Sequence, residues 1–237
     1  MTVLAIVLGL LPGLAWLYFY LKEDCHPEPK RLIALTFFGG ALVTVFAFVL
    51  QKFFGCFAFD YCGGLLEDFV LARAGLVGIG LLIFLALVEE VLKFGAAYMI
   101  VHKSEFFDEP IDAMIYMVVA ALGFATVENL GVVGAYFSDS SSVEFGTVAG
   151  TISLRFVGAT LLHALSSGLV GYYWAKTIRE LGLKRFLFLG LTLATILHAI
   201  FNYVIITNEG VGYSIILLVT VGFFILNDFE KLKDRRV

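Results

Sequence analysis

Long apolar runs broken at short polar intervals dominate the pattern along this chain. A bilayer core of roughly 30 Å takes about 20 apolar helical residues. Against that length the sequence predicts seven spans, at 3–21, 32–50, 76–101, 111–137, 151–175, 186–207 and 212–226. The third and fourth are long enough to tilt or to begin with interfacial turns, and the last is short. No internal repeat, linker or low-complexity tract divides the chain, so 1–237 reads as one domain, with its polar motifs confined to about 76–207. The predicted fold is all-α, a polytopic transmembrane helical bundle.

Composition turns this pattern into an exclusion. The chain is 60% hydrophobic and only 15% charged, with a mean hydropathy of +0.95, whereas soluble domains carry about 25% charged residues. A soluble enzyme of this size could not hide so much apolar surface. The net charge of −4 gives no basic footprint for nucleic acid, so the first partner is the lipid bilayer.

Orientation follows from the basic residues. Lys22, Lys30, Arg31, Lys103, Lys176, Arg179, Lys184, Arg185, Lys231, Lys233, Arg235 and Arg236 fall in alternate loops and the tail, whereas the intervening loops carry few, Lys52 among them. Positive residues concentrate on the cytoplasmic side, which predicts an outside amino terminus and a cytoplasmic carboxyl terminus in the plasma membrane. The first span has no positive residue before Lys22, the reverse of a secretory signal, and so reads as an uncleaved helix. Cys56 and Cys62 fall in the predicted outer loop 53–68 and Cys25 in an inner one. The outer pair reads equally as a disulfide or as two free thiols, and the loop offers too few ligands for zinc.

Ionisable side chains inside hydrocarbon are costly and therefore rare, yet the middle spans hold a set of them. Span three carries Glu89, Glu90 and Lys93; span four carries Glu128, then Asn129; span five carries Arg155 and His163; span six carries His198, then Asn202. At 1.5 Å per residue, Glu89, His163 and His198 each lie about 18 Å from the cytoplasmic ends of their helices, and Glu128 and Asn202 roughly 24–26 Å. Four helices thus bring acids, imidazoles and an amide to one slab of the membrane, which predicts a shared buried site.

Local spacing agrees. Glu89 and Lys93 are four apart and can pair on one face, while Glu90 is turned about 100° away. His198 and Asn202 share a face, as do Arg155 and His163. Ser166 and Ser167 follow His163, but small serines in membrane helices read as packing residues, as does the Gly168/Gly171 pair. A buried glutamate beside a lysine suits a general base, and imidazoles with an amide suit an oxyanion. The candidate catalytic set is Glu89, Glu90, Glu128, His163, His198 and Asn202, supported by Lys93, Asn129 and Arg155, for hydrolysis by an activated water. These side chains are also plausible ligands for a divalent metal, but the zinc motif H-E-x-x-H is absent, so no cofactor is called for. Buried Glu and His also mark proton pathways, leaving a proton-coupled transporter or a non-catalytic scaffold as alternatives.

In order, Glu89-Glu90-x-x-Lys93, Phe124-x-x-x-Glu128-Asn129, His163 and His198-x-x-x-Asn202 resemble the motifs of the PrsW family of intramembrane proteases, within the larger group that includes the type II CAAX prenyl proteases. The resemblance covers roughly 88–202. It implies a glutamate-dependent peptidase cutting single-span or membrane-anchored proteins near the membrane surface, with an anti-sigma factor as substrate class and a stress response as outcome. It also implies that Glu89 or Glu90 activates the water, that Glu128 orients it, and that His198 and Asn202 meet the oxyanion. Ala113 and Met117 stand where such chains tend to have glycine, which predicts looser helix approach at that end of span four. Oligomeric state is not readable from this sequence.

Overall fold

A helix that is apolar over most of its surface must be surrounded by other protein or by lipid. Pro110–Ser138 is such a helix, and 89% of its apolar window is buried inside the protein. It is the central rod of the bundle. The structure, a computed structural model, describes residues 2–22, 26–60, 62, 75–138, 145–179, 184–207 and 211–233. The described residues form α1 (Thr2–Tyr20), α2 (Lys30–Phe59), α3 (Leu76–Val101), α4 (Pro110–Ser138), α5 (Phe145–Val157), α6 (Ala159–Arg179), α7 (Arg185–Ile206) and α8 (Val211–Lys233). There is no strand among them, and the all-α reading holds. Cys25, residues 61 and 63–68 of the predicted loop, and the last four residues lie outside the described set.

Five stretches are long and apolar enough to cross a membrane: Lys30–Ala58, Pro110–Ala135, Ala149–Arg179, Arg185–Ile206 and Gly212–Glu230. The chain is a multi-pass integral membrane protein. Helix α3 has the length to cross, at 26 residues, but carries Glu89, Glu90 and Lys93 in its middle.

The start of α4 is locally encoded. Pro110 occupies the first helical position, where a missing N–H costs nothing. Two residues on, Asp112 Oδ2 accepts hydrogen bonds from the backbone N–H of Glu109 at 2.7 Å and of Asp108 at 3.0 Å, satisfying donors that the helix leaves open.

Close approach to α4 is achieved by glycine. A Cβ on Gly40 of α2 would lie 1.9 Å from Ala120 O, and one on Gly123 of α4 would lie 1.9 Å from Phe37 O. The two backbones therefore touch along the half of α2 nearest its basic start. On the other half, Gly131 of α4 has open space beside it, and α2 leans instead on α3, where Phe54 and Phe84 rings meet at 6.1 Å. Helix α2 also touches α3 on its first half, where a Cβ on Gly39 would lie 2.7 Å from Ile100 Cδ1, so it follows α3 along its length and parts from α4 toward its second end. The looser packing expected at Ala113 does not occur. Gly171 of α6 supplies the gap, since a Cβ there would sit 2.5 Å from Met114 Cα.

Several span boundaries need correction, among them the last, which runs to Lys233, seven residues past Leu226, so that Lys231 and Lys233 belong to α8 and not to a tail. The second span runs to Phe59, nine residues past the predicted end at Leu50. Gln51 and Lys52 fall just past the predicted end, yet both are helical: Lys52 folds its ammonium over the Phe48 ring at 4.9 Å while Gln51 turns inward. The fifth span is two helices, α5 and α6, joined at Gly158, so Arg155 and His163 do not share one continuous helical face. Trp16 Nε1 of α1 donates to Phe156 O at 2.8 Å beside the junction. At the far end of α2, Cys56 and Cys62 form a disulfide.

Candidate active site

Lys93 is fully buried, and its ammonium fixes the surrounding hydrogen bonds. Its Nζ lies 2.8 Å from Glu90 Oε1 and 2.9 Å from His163 Nδ1, with the Phe124 ring centroid 4.8 Å away. An ammonium only donates, so His163 Nδ1 accepts. The proton of a neutral His163 is then on Nε2, which donates to Glu128 Oε2 at 2.7 Å. Lys93 was expected to pair with Glu89. That contact is the longer one, at 3.9 Å, because Glu90 on α3 points into the bundle beside Lys93.

Glu90 is wholly enclosed and saturated. Its Oε1 accepts from Lys93, from Ser166 Oγ at 2.9 Å and from His198 Nδ1 at 2.9 Å, and its Oε2 accepts from Ser167 Oγ at 3.1 Å. Ser166 and Ser167 are therefore ligands of the buried carboxylate, which corrects their reading as packing residues. Their position three and four residues after His163, on its face of the helix, was the available signal. With Nδ1–H given to Glu90, His198 turns Nε2 toward Glu89 Oε2, 3.7 Å away.

Glu89 is held differently. Its Oε1 accepts from Gln51 Nε2 at 2.9 Å, and its Oε2 is buried without a hydrogen-bond partner. Glu89 also lines a cavity of about 530 Å³, together with Glu128, His163, His198, Asn202 and Gln51, among others. Gln51 was not anticipated, because it sits beyond the apparent end of its apolar run. Arg155 reaches Glu128 Oε2 at 3.5 Å and donates from Nε to Asn129 Oδ1, while Asn129 Nδ2 donates to Thr160 Oγ1 at 3.0 Å. All nine residues singled out in the sequence thus meet in one cluster. Glu89, Glu128, Arg155, His163, His198 and Asn202 line the cavity, whereas Glu90, Lys93 and Asn129 stand behind it.

The sequence model of a family described as "PrsW family intramembrane metalloprotease" matches residues 28–227. The chain belongs to the PrsW family. Among curated relatives, Protease PrsW of Geobacillus kaustophilus is 29% identical over 210 residues, covering 86% of this chain and 81% of that protein. Protease PrsW of Oceanobacillus iheyensis is 28% identical, covering 92% and 88%, and that of Bacillus subtilis is 25% identical, covering 95% and 94%. No solved structure gives a significant match. This PrsW-family chain is an intramembrane protease, a peptidase whose substrates are membrane proteins. Neither the transporter nor the scaffold alternative is favoured.

The family description names a metal, and one donor from each of Glu89, His163 and His198 lies within 4.8 Å of the others. Catalytic zinc sites use three protein ligands with an open fourth position. Here Glu89 Oε2 and His198 Nε2 are open, but His163 is engaged through both ring nitrogens, by Lys93 and by Glu128. A metal on Nδ1 of His163 would displace a buried ammonium 2.9 Å away. The donor arrangement does not fit a resident three-ligand metal.

Proposed function

We propose that this PrsW-family protease hydrolyses the peptide bond with a water activated by Glu89, without a resident metal. One observation carries the reading. Glu89 is a buried carboxylate on the wall of the cavity, with one oxygen hydrogen-bonded and the other bare. Such an oxygen is a ready acceptor for a water proton.

In the reaction, Glu89 Oε2 takes a proton from the water, whose oxygen forms a bond to the scissile carbonyl carbon. The Asn202 amide donates to the oxyanion, joined by His198 Nε2 when that nitrogen carries a proton. When the C–N bond breaks, the Glu89 carboxyl passes its proton to the departing amine. Glu90 and Lys93 hold His198 and His163 in place, and Glu128, hydrogen-bonded to His163, orients the water.

The substrate class is a single-span or membrane-anchored protein, anti-sigma-factor-like by family resemblance. Gln51 lies eight residues before the end of α2, about 12 Å along the helix from the disulfide-bearing end. With that end on the outer face, as the basic residues predict, the scissile bond lies in the outer half of the bilayer.

The test uses the purified full-length chain in lipid nanodiscs with a panel of single-span reporter proteins, each tagged on both sides of its span. Wild type cleaves at least one reporter, and Glu89→Gln cleaves it roughly 10²–10⁴-fold more slowly. Metal analysis finds no stoichiometric divalent ion, and phenanthroline leaves the rate unchanged. Retained cleavage in Glu89→Gln, or a chelator-sensitive rate restored by zinc, overturns the mechanism.

A further inference from the structure

Gln51 is the residue of the cluster that no motif contains. It arrives on α2, outside the four helices that carry the acids and imidazoles, on the half of α2 where Phe54 meets Phe84 of α3. Its amide nitrogen is shared between Glu89 Oε1, at 2.9 Å, and the backbone carbonyl of Leu85, at 3.1 Å. Leu85 is one helical turn before Glu89 on α3, so both bonds fix the amide over one face of that helix.

The consequence for Glu89 is directional. A glutamate carboxylate has a terminal torsion that is broad and roughly two-fold, so its two oxygens are interchangeable unless something distinguishes them. Lys93 and the two histidine nitrogens that face Glu89 Oε2 stand 3.7–3.9 Å away, too far for hydrogen bonds. Among the described residues the hydrogen bond that orients the carboxylate is the one from Gln51.

We propose that Gln51 is a positioning residue for the peptidase reaction: by holding Glu89 Oε1 it assigns Oε2 to the water. Pre-set orientation of a reacting group lowers the barrier without changing how substrate binds, so the effect belongs to kcat. The proposal rests on Glu89 being the general base.

The experiment uses the full-length chain in nanodiscs, with a single-span reporter that wild type cleaves. Gln51→Met keeps the volume and removes the donor. It lowers kcat roughly 10–100-fold with KM within about twofold, and Gln51→His, which restores an N–H of similar reach, regains part of the loss. Thermal unfolding of both variants stays near wild type. A second readout needs no substrate: the infrared carboxylate band of Glu89, isolated by subtracting the Glu89→Gln spectrum, shifts in Gln51→Met and returns toward wild type in Gln51→His.

A Gln51→Met protein with wild-type kcat and an unmoved Glu89 band overturns the proposal. So does one whose unfolding temperature drops while kcat is kept, since that is the behaviour of a plain α2–α3 tie. If Glu89→Gln still cleaves, the general-base reading falls whatever Gln51 does. If Glu89→Gln is inactive and Gln51→Met is not, only the positioning role falls.

Discussion

Replacing Lys93 by methionine removes one cation from a place that water does not reach. The ammonium is enclosed, 2.8 Å from Glu90 and 2.9 Å from His163. Its loss leaves Glu90, also fully enclosed, with two serine hydroxyls and one imidazole against a whole negative charge. Breaking a buried ion pair from one side costs about 3–5 kcal/mol, or roughly two to four decades in the folding equilibrium. Removing both partners in Lys93→Met/Glu90→Gln leaves no unpaired charge, and the double variant is expected to lose only about 1–2 kcal/mol, because a matched neutral replacement of a buried pair is often close to neutral. Glu90→Gln alone also breaks the pair from one side and costs a similar amount, so the cycle gives a coupling of at least about 4 kcal/mol. The assay is equilibrium unfolding of the full-length chain in mixed micelles titrated with sodium dodecyl sulfate, run on wild type, both single variants and the double. A coupling below about 1 kcal/mol, or a Lys93→Met protein as stable as wild type, would show that the buried pair does not organise the site as described.

Further outcomes follow from packing and from the cysteines. Gly40→Ala, whose new methyl would meet the Ala120 carbonyl at 1.9 Å, is expected to cost about 1–3 kcal/mol, whereas Gly131→Ala, with open space beside it, stays within about 0.5 kcal/mol of wild type; the same micelle titration measures both, and equal costs would refute the described parting of α2 from α4. Of the 3 cysteines, alkylation of the denatured, unreduced protein is expected to modify Cys25 and to spare the bonded Cys56 and Cys62. After reduction all become reactive, as mass spectrometry will show, and alkylation of Cys56 or Cys62 before reduction contradicts the bond.

The sequence was most readable where physics leaves few choices. Charged residues in lipid are so costly that Glu89, Glu90, Lys93, Glu128, Arg155, His163 and His198 announced a common site by their presence alone, and helical rise placed most of them at one depth. Pairing inside the site was less readable. Lys93 can reach either Glu89 or Glu90 from its own helix, and the choice was made by His163 and His198 arriving from other helices. Neutral polar residues were hardest to read. Gln51 looked like the end of a span, and Ser166 and Ser167 like filler, because a hydroxyl or amide in a helix gains its meaning from whichever carboxylate the tertiary fold sets before it. The break at Gly158 was hidden for a related reason: an apolar run continues across it, and only its place between α5 and α6, with Trp16 donating to a nearby carbonyl, distinguishes it from an ordinary helical glycine.

Dispersal of the charge balance over several helices reaches back to biogenesis. Helix α3 carries two acids and a lysine near its middle, and each such residue opposes insertion at the centre of a nascent segment by about 2.5–3.5 kcal/mol. The groups that compensate Glu90 from outside α3 are Ser166, Ser167 and His198, all synthesised at least 76 residues later. During translation α3 therefore has to wait, shielded by the insertion machinery or lying at the membrane surface, until α6 and α7 emerge to escort it inside. A fragment ending before Ser166 would strand it there, a ready mark of an unfinished chain for quality-control proteases.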